Sequence, residues 1–101
     1  MATKLLLYPE NDQLVTLERV TDSTGALVYG ATISGKLVDK SGTEKVSLVF
    51  SEVNAPSGNY AAPLDAADVP DLGSYVLQVT GDCNGAALYF EVACTVQKRV
   101  L

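Results

Sequence analysis

Asp71-Leu72-Gly73-Ser74-Tyr75 is the most informative stretch of this 101-residue chain. Its pattern is Asp-x-Gly-x-Tyr, set between Pro70 and the alternating run Tyr75-Val76-Leu77-Gln78-Val79-Thr80. Glycine at 73 permits a backbone conformation that other residues resist. A tyrosine at the start of a strand can bury its ring against a core and return its hydroxyl to the backbone a few residues upstream. That bond satisfies a polar group that a buried bend would otherwise strand. The segment predicts a tight corner leading into a core strand, with Asp71, Gly73 and Tyr75 as structural residues.

Outward from this corner, period-2 alternation and β-branched residues dominate in both directions. Strands are expected over 4–8, 13–20, 31–38, 43–52, 60–63, 75–80 and 86–100, with a brief extended piece at 26–29. Within them Ile33, Gly35 and Leu37 share one face, as do Val46, Leu48 and Phe50, then Tyr75, Leu77 and Val79. In the last strand Leu88, Phe90, Val92, Cys94 and Val96 share a face. Turn clusters separate the strands at Asp22-Ser23-Thr24-Gly25, Asp39-Lys40-Ser41-Gly42 and Gly81-Asp82-Cys83-Asn84-Gly85. One helical turn is expected somewhere in residues 64–70. About seven strands at this spacing predict an all-β sandwich or barrel.

Bulk composition agrees with one globular domain over residues 1–101. Hydrophobic residues make up 48% and charged residues 19%, which is not the balance of a disordered segment. The net charge of −5 repels phosphate, so neither nucleic acid nor an anionic membrane is an expected partner. The N-terminal apolar stretch is too short for a signal peptide, and synthesis in the cytoplasm is expected. Cys83 and Cys94 are expected as unbridged thiols. About ten residues of strand and turn separate them, placing them on the order of 30 Å apart, beyond disulfide reach. Cys94 falls in phase with buried positions and reads as a small hydrophobe.

Placed before two final strands, the Asp71-to-Tyr75 segment resembles the tyrosine corner of immunoglobulin-like β-sandwiches. That resemblance implies a sandwich of about seven strands. The chain departs from the antibody type: Leu77 stands where that type has cysteine, and there is no tryptophan. The implied relative is a disulfide-free branch of the architecture.

Little in the chain points to chemistry. It has no histidine, which removes imidazole acid–base work, histidine-activated nucleophiles and histidine-ligated metals. Its glycines sit singly in turns and form no phosphate-binding loop. No catalytic residue and no cofactor are expected. Asp65, Asp68 and Asp71, spaced i, i+3, i+6 in one loop, are weak candidates for calcium ligands, set against ordinary capping and turn chemistry. Tyr8, Tyr29, Tyr60 and Tyr89 are candidates for a recognition patch, set against the general preference of tyrosine for half-buried strands.

A second resemblance bears on function. Asn11-Asp12 follows a short first strand. Ala31-Thr32-Ile33-Ser34-Gly35-Lys36-Leu37-Val38-Asp39 closes on Ser41-Gly42-Thr43. Pro56-Ser57-Gly58-Asn59-Tyr60 enters a strand, and the last strand runs to Lys98-Arg99. Over nearly its full length this layout resembles the small β-sandwich proteins of the head and tail morphogenesis region of tailed bacteriophages and prophages. The resemblance implies a non-catalytic virion structural or assembly protein whose partners are itself or other virion proteins. A binding module recognising a protein or carbohydrate is the alternative.

Overall fold

A computed structural model describes residues 5–100. Seven strands dominate: β1 (Leu5–Leu7), β2 (Gln13–Leu17), β3 (Thr32–Val38), β4 (Glu44–Glu52), β5 (Tyr60–Leu64), β6 (Gly73–Cys83) and β7 (Ala86–Val96). A 3-10 turn, Ala66–Asp68, lies between β5 and β6. The expected start of the first strand at Lys4 lies outside the described residues.

The strands form one mixed sheet in the order β1-β7-β6-β3-β4-β5-β2, curled nearly into a barrel. Neighbours pair antiparallel except β1, which runs parallel to β7. β4 turns the corner. Its first part pairs with β3, and its last two residues, Ser51 and Glu52, also pair with Ala61 and Tyr60 of β5. Pro63 sits where β5 has left β4, so its missing N–H removes nothing from that ladder.

The alternation read from the sequence becomes the core. Ile33, Leu37, Leu77, Val79, Cys94 and Val96 are fully buried, joined from the β5 side by Tyr60 and from the β2–β3 connection by Val20. Gly35 lies under Leu77 and Phe50, and a Cβ there would stand 3.0 Å and 3.1 Å from their side chains. The backbones of β3 and its neighbours therefore pack around an absent side chain.

Several expected boundaries are corrected. The Gly81-to-Gly85 connection shrinks to two residues, because β6 continues through Cys83 and Ala86 opens β7. Asn84 and Gly85 take φ of 54° and 85°, the left-handed pair that matches the twist of a two-residue hairpin. Cys83 is thus the last residue of a strand. β7 ends at Val96 instead of residue 100, and β2 ends at Leu17 instead of residue 20. Arg19, with φ of 53°, leaves the extended region and breaks β2's ladder. The piece at 26–29 is reduced to one bridge between Thr21 and Leu27.

Two loops use the same device. Asp22 Oδ1 accepts from the Thr24 N–H and hydroxyl and from the Ala26 N–H, while Asp39 Oδ1 accepts from the Ser41 N–H and hydroxyl and from the Thr43 N–H. In each, the glycine three residues after the aspartate, Gly25 or Gly42, holds a positive φ.

Candidate functional site

The three corner residues come together. Gly73 opens β6 with φ of 148°. Two residues later the Tyr75 ring turns into the core, and its hydroxyl donates to the Asp71 carbonyl at 2.6 Å. Burial raises the phenol's pKa, with the Asp71 carboxylate adding to it. The group is held neutral, as a hydrogen-bond donor to a carbonyl must be. It holds a bend.

Tyr60 plays a parallel part that the sequence did not disclose. Its ring has no exposed surface. Its hydroxyl donates to the Val28 carbonyl at 2.9 Å and accepts from the Ala31 N–H at 3.2 Å. Burial raises its pKa first, and the Glu52 carboxylate contributes. Tyr60 therefore leaves the proposed recognition patch. Tyr8 is half-buried, while Tyr29 and Tyr89 are 48% and 57% exposed.

Glu52 is the second residue the sequence did not flag. Oε1 accepts from the Gly30 N–H at 2.8 Å, and Oε2 accepts from Ser57 and Gly58 at 2.8 Å and 3.1 Å. Those three bonds hold its carboxyl below the usual range, Ser57 contributing most. No periodicity could reveal a carboxylate at a strand end whose partners sit in two separate loops.

The acidic loop does not converge. Asp65 precedes the 3-10 turn, and its carbonyl accepts from the Asp68 N–H. Asp68 and Asp71 line an open cleft of about 770 Å³ with Asp39, Lys45 and Tyr75, without Asp65. Lys45 lies 3.7 Å from Asp39 across it. Among the described residues, no three histidine, cysteine, aspartate or glutamate side chains are grouped to hold a metal ion. Asp22, Asp39 and Glu52 are all held low by hydrogen bonds, which suits anchoring and works against proton donation near neutral pH.

Cys94 is buried within β7, and Cys83 is half-buried with its sulfur 3.6 Å from the Tyr29 carbonyl. Neither is in a disulfide.

The remaining candidate is the outer side of β7. β6 pairs with β7 over eleven consecutive residues with no register shift. On the opposite side β1 covers only Cys94, Thr95 and Val96. Among the described residues, positions 86–93 have no outer neighbour. That stretch reads Ala-Ala-Leu-Tyr-Phe-Glu-Val-Ala, with no lysine, no proline and a single charge. Leu88 and Phe90 are half-buried against the core and line a cleft of about 420 Å³ beside the Thr21-Asp22-Ser23 loop. On the outward face, Tyr89 donates to the Glu91 carboxylate, which raises the phenol's pKa.

No family model matches the chain, and no curated protein matches it either.

Proposed function

We propose that this chain is an immunoglobulin-like β-sandwich serving as a non-catalytic structural or assembly protein of a tailed phage or prophage particle, made in the cytoplasm and carried into the virion. Three features support the fold reading: the parallel first strand beside the last, the β4 strand shared between two halves of the sheet, and the Tyr75–Asp71 bond before the final hairpin. The functional reading is carried by the β7 edge. Soluble monomers blunt such edges with charge, proline, bulges or a covering segment. Residues 86–93 carry one glutamate and none of the other devices among the described residues. An unbulged, nearly uncharged edge suits a subunit that meets copies or neighbours in an assembly. The test is mass spectrometry of purified particles from the phage or induced prophage that encodes the chain. Stoichiometric presence in the particles is expected, and absence from them would sink the reading.

The binding-module alternative has one observation in its favour. Val49, Ser34, Thr80 and Tyr89 form an uncharged row across four strands of the outer face, tied at its centre by the Ser34–Thr80 hydroxyl contact at 3.3 Å.

A further inference from the structure

Of the asparagines in the chain, only Asn84 is followed by glycine. The backbone nitrogen after an asparagine can attack the side-chain amide carbon and close a five-membered ring. That approach is easiest where the following residue has no Cβ to crowd it. Asn11, Asn54 and Asn59 are followed by Asp12, Ala55 and Tyr60, which all carry one. Two of those asparagines are also tied down. Asn11 Nδ2 donates to the Pro9 carbonyl at 2.8 Å, and Asn59 Oδ1 accepts from the Arg19 N–H at 2.8 Å. Asn84 and Gly85 are exposed, and a Cβ at Gly85 would meet no atom within 4 Å. Water therefore reaches this turn.

The reacting atoms are nevertheless held apart. Asn84 and Gly85 sit in the left-handed region, with φ of 54° and 85°. The closed ring fixes the Asn84 ψ outside that region, so the hairpin must open before the ring can form. The Gly85 N–H must also be released, because it donates to Asp82 Oδ1 at 2.8 Å. A bond to a carboxylate is among the stronger hydrogen bonds and keeps that proton on the nitrogen. Asp82 is itself well placed: its backbone lies between Thr32 of β3 and Ala87 of β7.

We propose that Asn84 is a latent deamidation site, and that Asp82 keeps it shut in the native hairpin as a positioning residue. In the reaction the Gly85 nitrogen bonds to the Asn84 side-chain carbon. Its proton passes to the departing Nδ2, and ammonia leaves. Water then opens the ring at either carbonyl, giving aspartate or isoaspartate. The net exchange is one water in and one ammonia out. Isoaspartate adds a methylene to the main chain of a turn whose strands pair over eleven residues with no register shift. Either product adds a carboxylate close to Asp82. The inference does not depend on the assembly reading above.

The full chain is incubated in mildly alkaline buffer, with and without urea. Ammonia release is followed, together with peptide mapping for aspartate and isoaspartate at position 84. The folded chain should convert about ten-fold more slowly than the chain in urea, or slower still. Asp82→Ala should speed the folded chain about ten-fold and leave the rate in urea unchanged. Asp82→Asn keeps an acceptor oxygen and should stay near the parent. Hydrogen exchange at the Gly85 amide should be slow in the parent and fast in Asp82→Ala. Equal rates with and without urea would overturn the proposal, as would conversion centred on Asn11, Asn54 or Asn59. An Asp82→Ala chain that exchanges the Gly85 amide quickly yet converts no faster than the parent would also overturn it. So would an Asp82→Asn chain that is folded by circular dichroism and converts as fast as the chain in urea.

Discussion

Tyr75 and Tyr60 each place one hydroxyl where a backbone group would otherwise be buried without a partner, but the two sites differ in what is lost. Tyr75→Phe leaves the Asp71 carbonyl unpaired at a partly exposed bend. We expect a loss of about 1–3 kcal/mol, read from urea unfolding. Tyr60→Phe removes a donor to Val28 and an acceptor from Ala31 in a fully buried site. It should destabilise more than Tyr75→Phe, and an equal or smaller loss would show that the β2–β3 connection is held by other contacts. The sequence disclosed the first tyrosine because its partner is four residues upstream in a recognisable pattern. It could not disclose the second, whose partners lie 29 and 32 residues away. Gly35 makes the same point in reverse: its need for a missing side chain comes from Leu77 and Phe50 on neighbouring strands. Gly35→Ala should destabilise by roughly 1–3 kcal/mol through overpacking, measured the same way.

At the level of elements, strand faces were legible and strand ends were not. A period of two needs only the local sequence, so the inward residues of β3, β4, β6 and β7 were readable, except Val38, which is buried out of phase where the register shifts after Leu37. Ends depend on turns and partners. The Asn84-Gly85 dipeptide is a strong hairpin signal, yet three polar or glycine residues before it disguised the end of β6. Gly85 holds φ of 85°. Gly85→Ala should lower stability by roughly 1 kcal/mol, with the hairpin strained and the core unchanged. The connection between β2 and β3 has almost no strand of its own, yet it is tied to the loop before β5. Val20 donates to the Gly58 carbonyl at 2.8 Å, and Arg19 donates to Asn59 Oδ1 at 2.8 Å. Glu52 braces both from the end of β4.

For the whole molecule, those carboxylates set the response to acid. Glu52 titrates below its ordinary 4.5, and Asp22 and Asp39 below their ordinary 3.8. The unfolded chain therefore binds more protons than the folded one in that window, and stability rises with pH there. The contribution is complete above about pH 4.5 and is lost as pH falls through the lowered folded values. The urea midpoint should hold from neutral pH to about pH 5 and fall below it. Glu52→Gln should make that fall shallower, and an unchanged acid response would assign it to other groups.

The sequence by itself determined the class, because alternation and turn residues act over a few neighbours. All-β structure, most of the inward faces and the local bond from Tyr75 to Asp71 follow from spacing alone. Only the tertiary structure decided the order of strands, the sharing of β4 between β3 and β5, and the parallel docking of β1 on the end of β7. It also decided that Asp65 stays apart from the cleft shared by Asp68 and Asp71, that Tyr60 is an internal anchor, and that the first part of β7 meets no neighbour among the described residues. Each of these depends on what lies opposite a residue in space, and a sheet closes that distance with backbone pairing that no local pattern encodes.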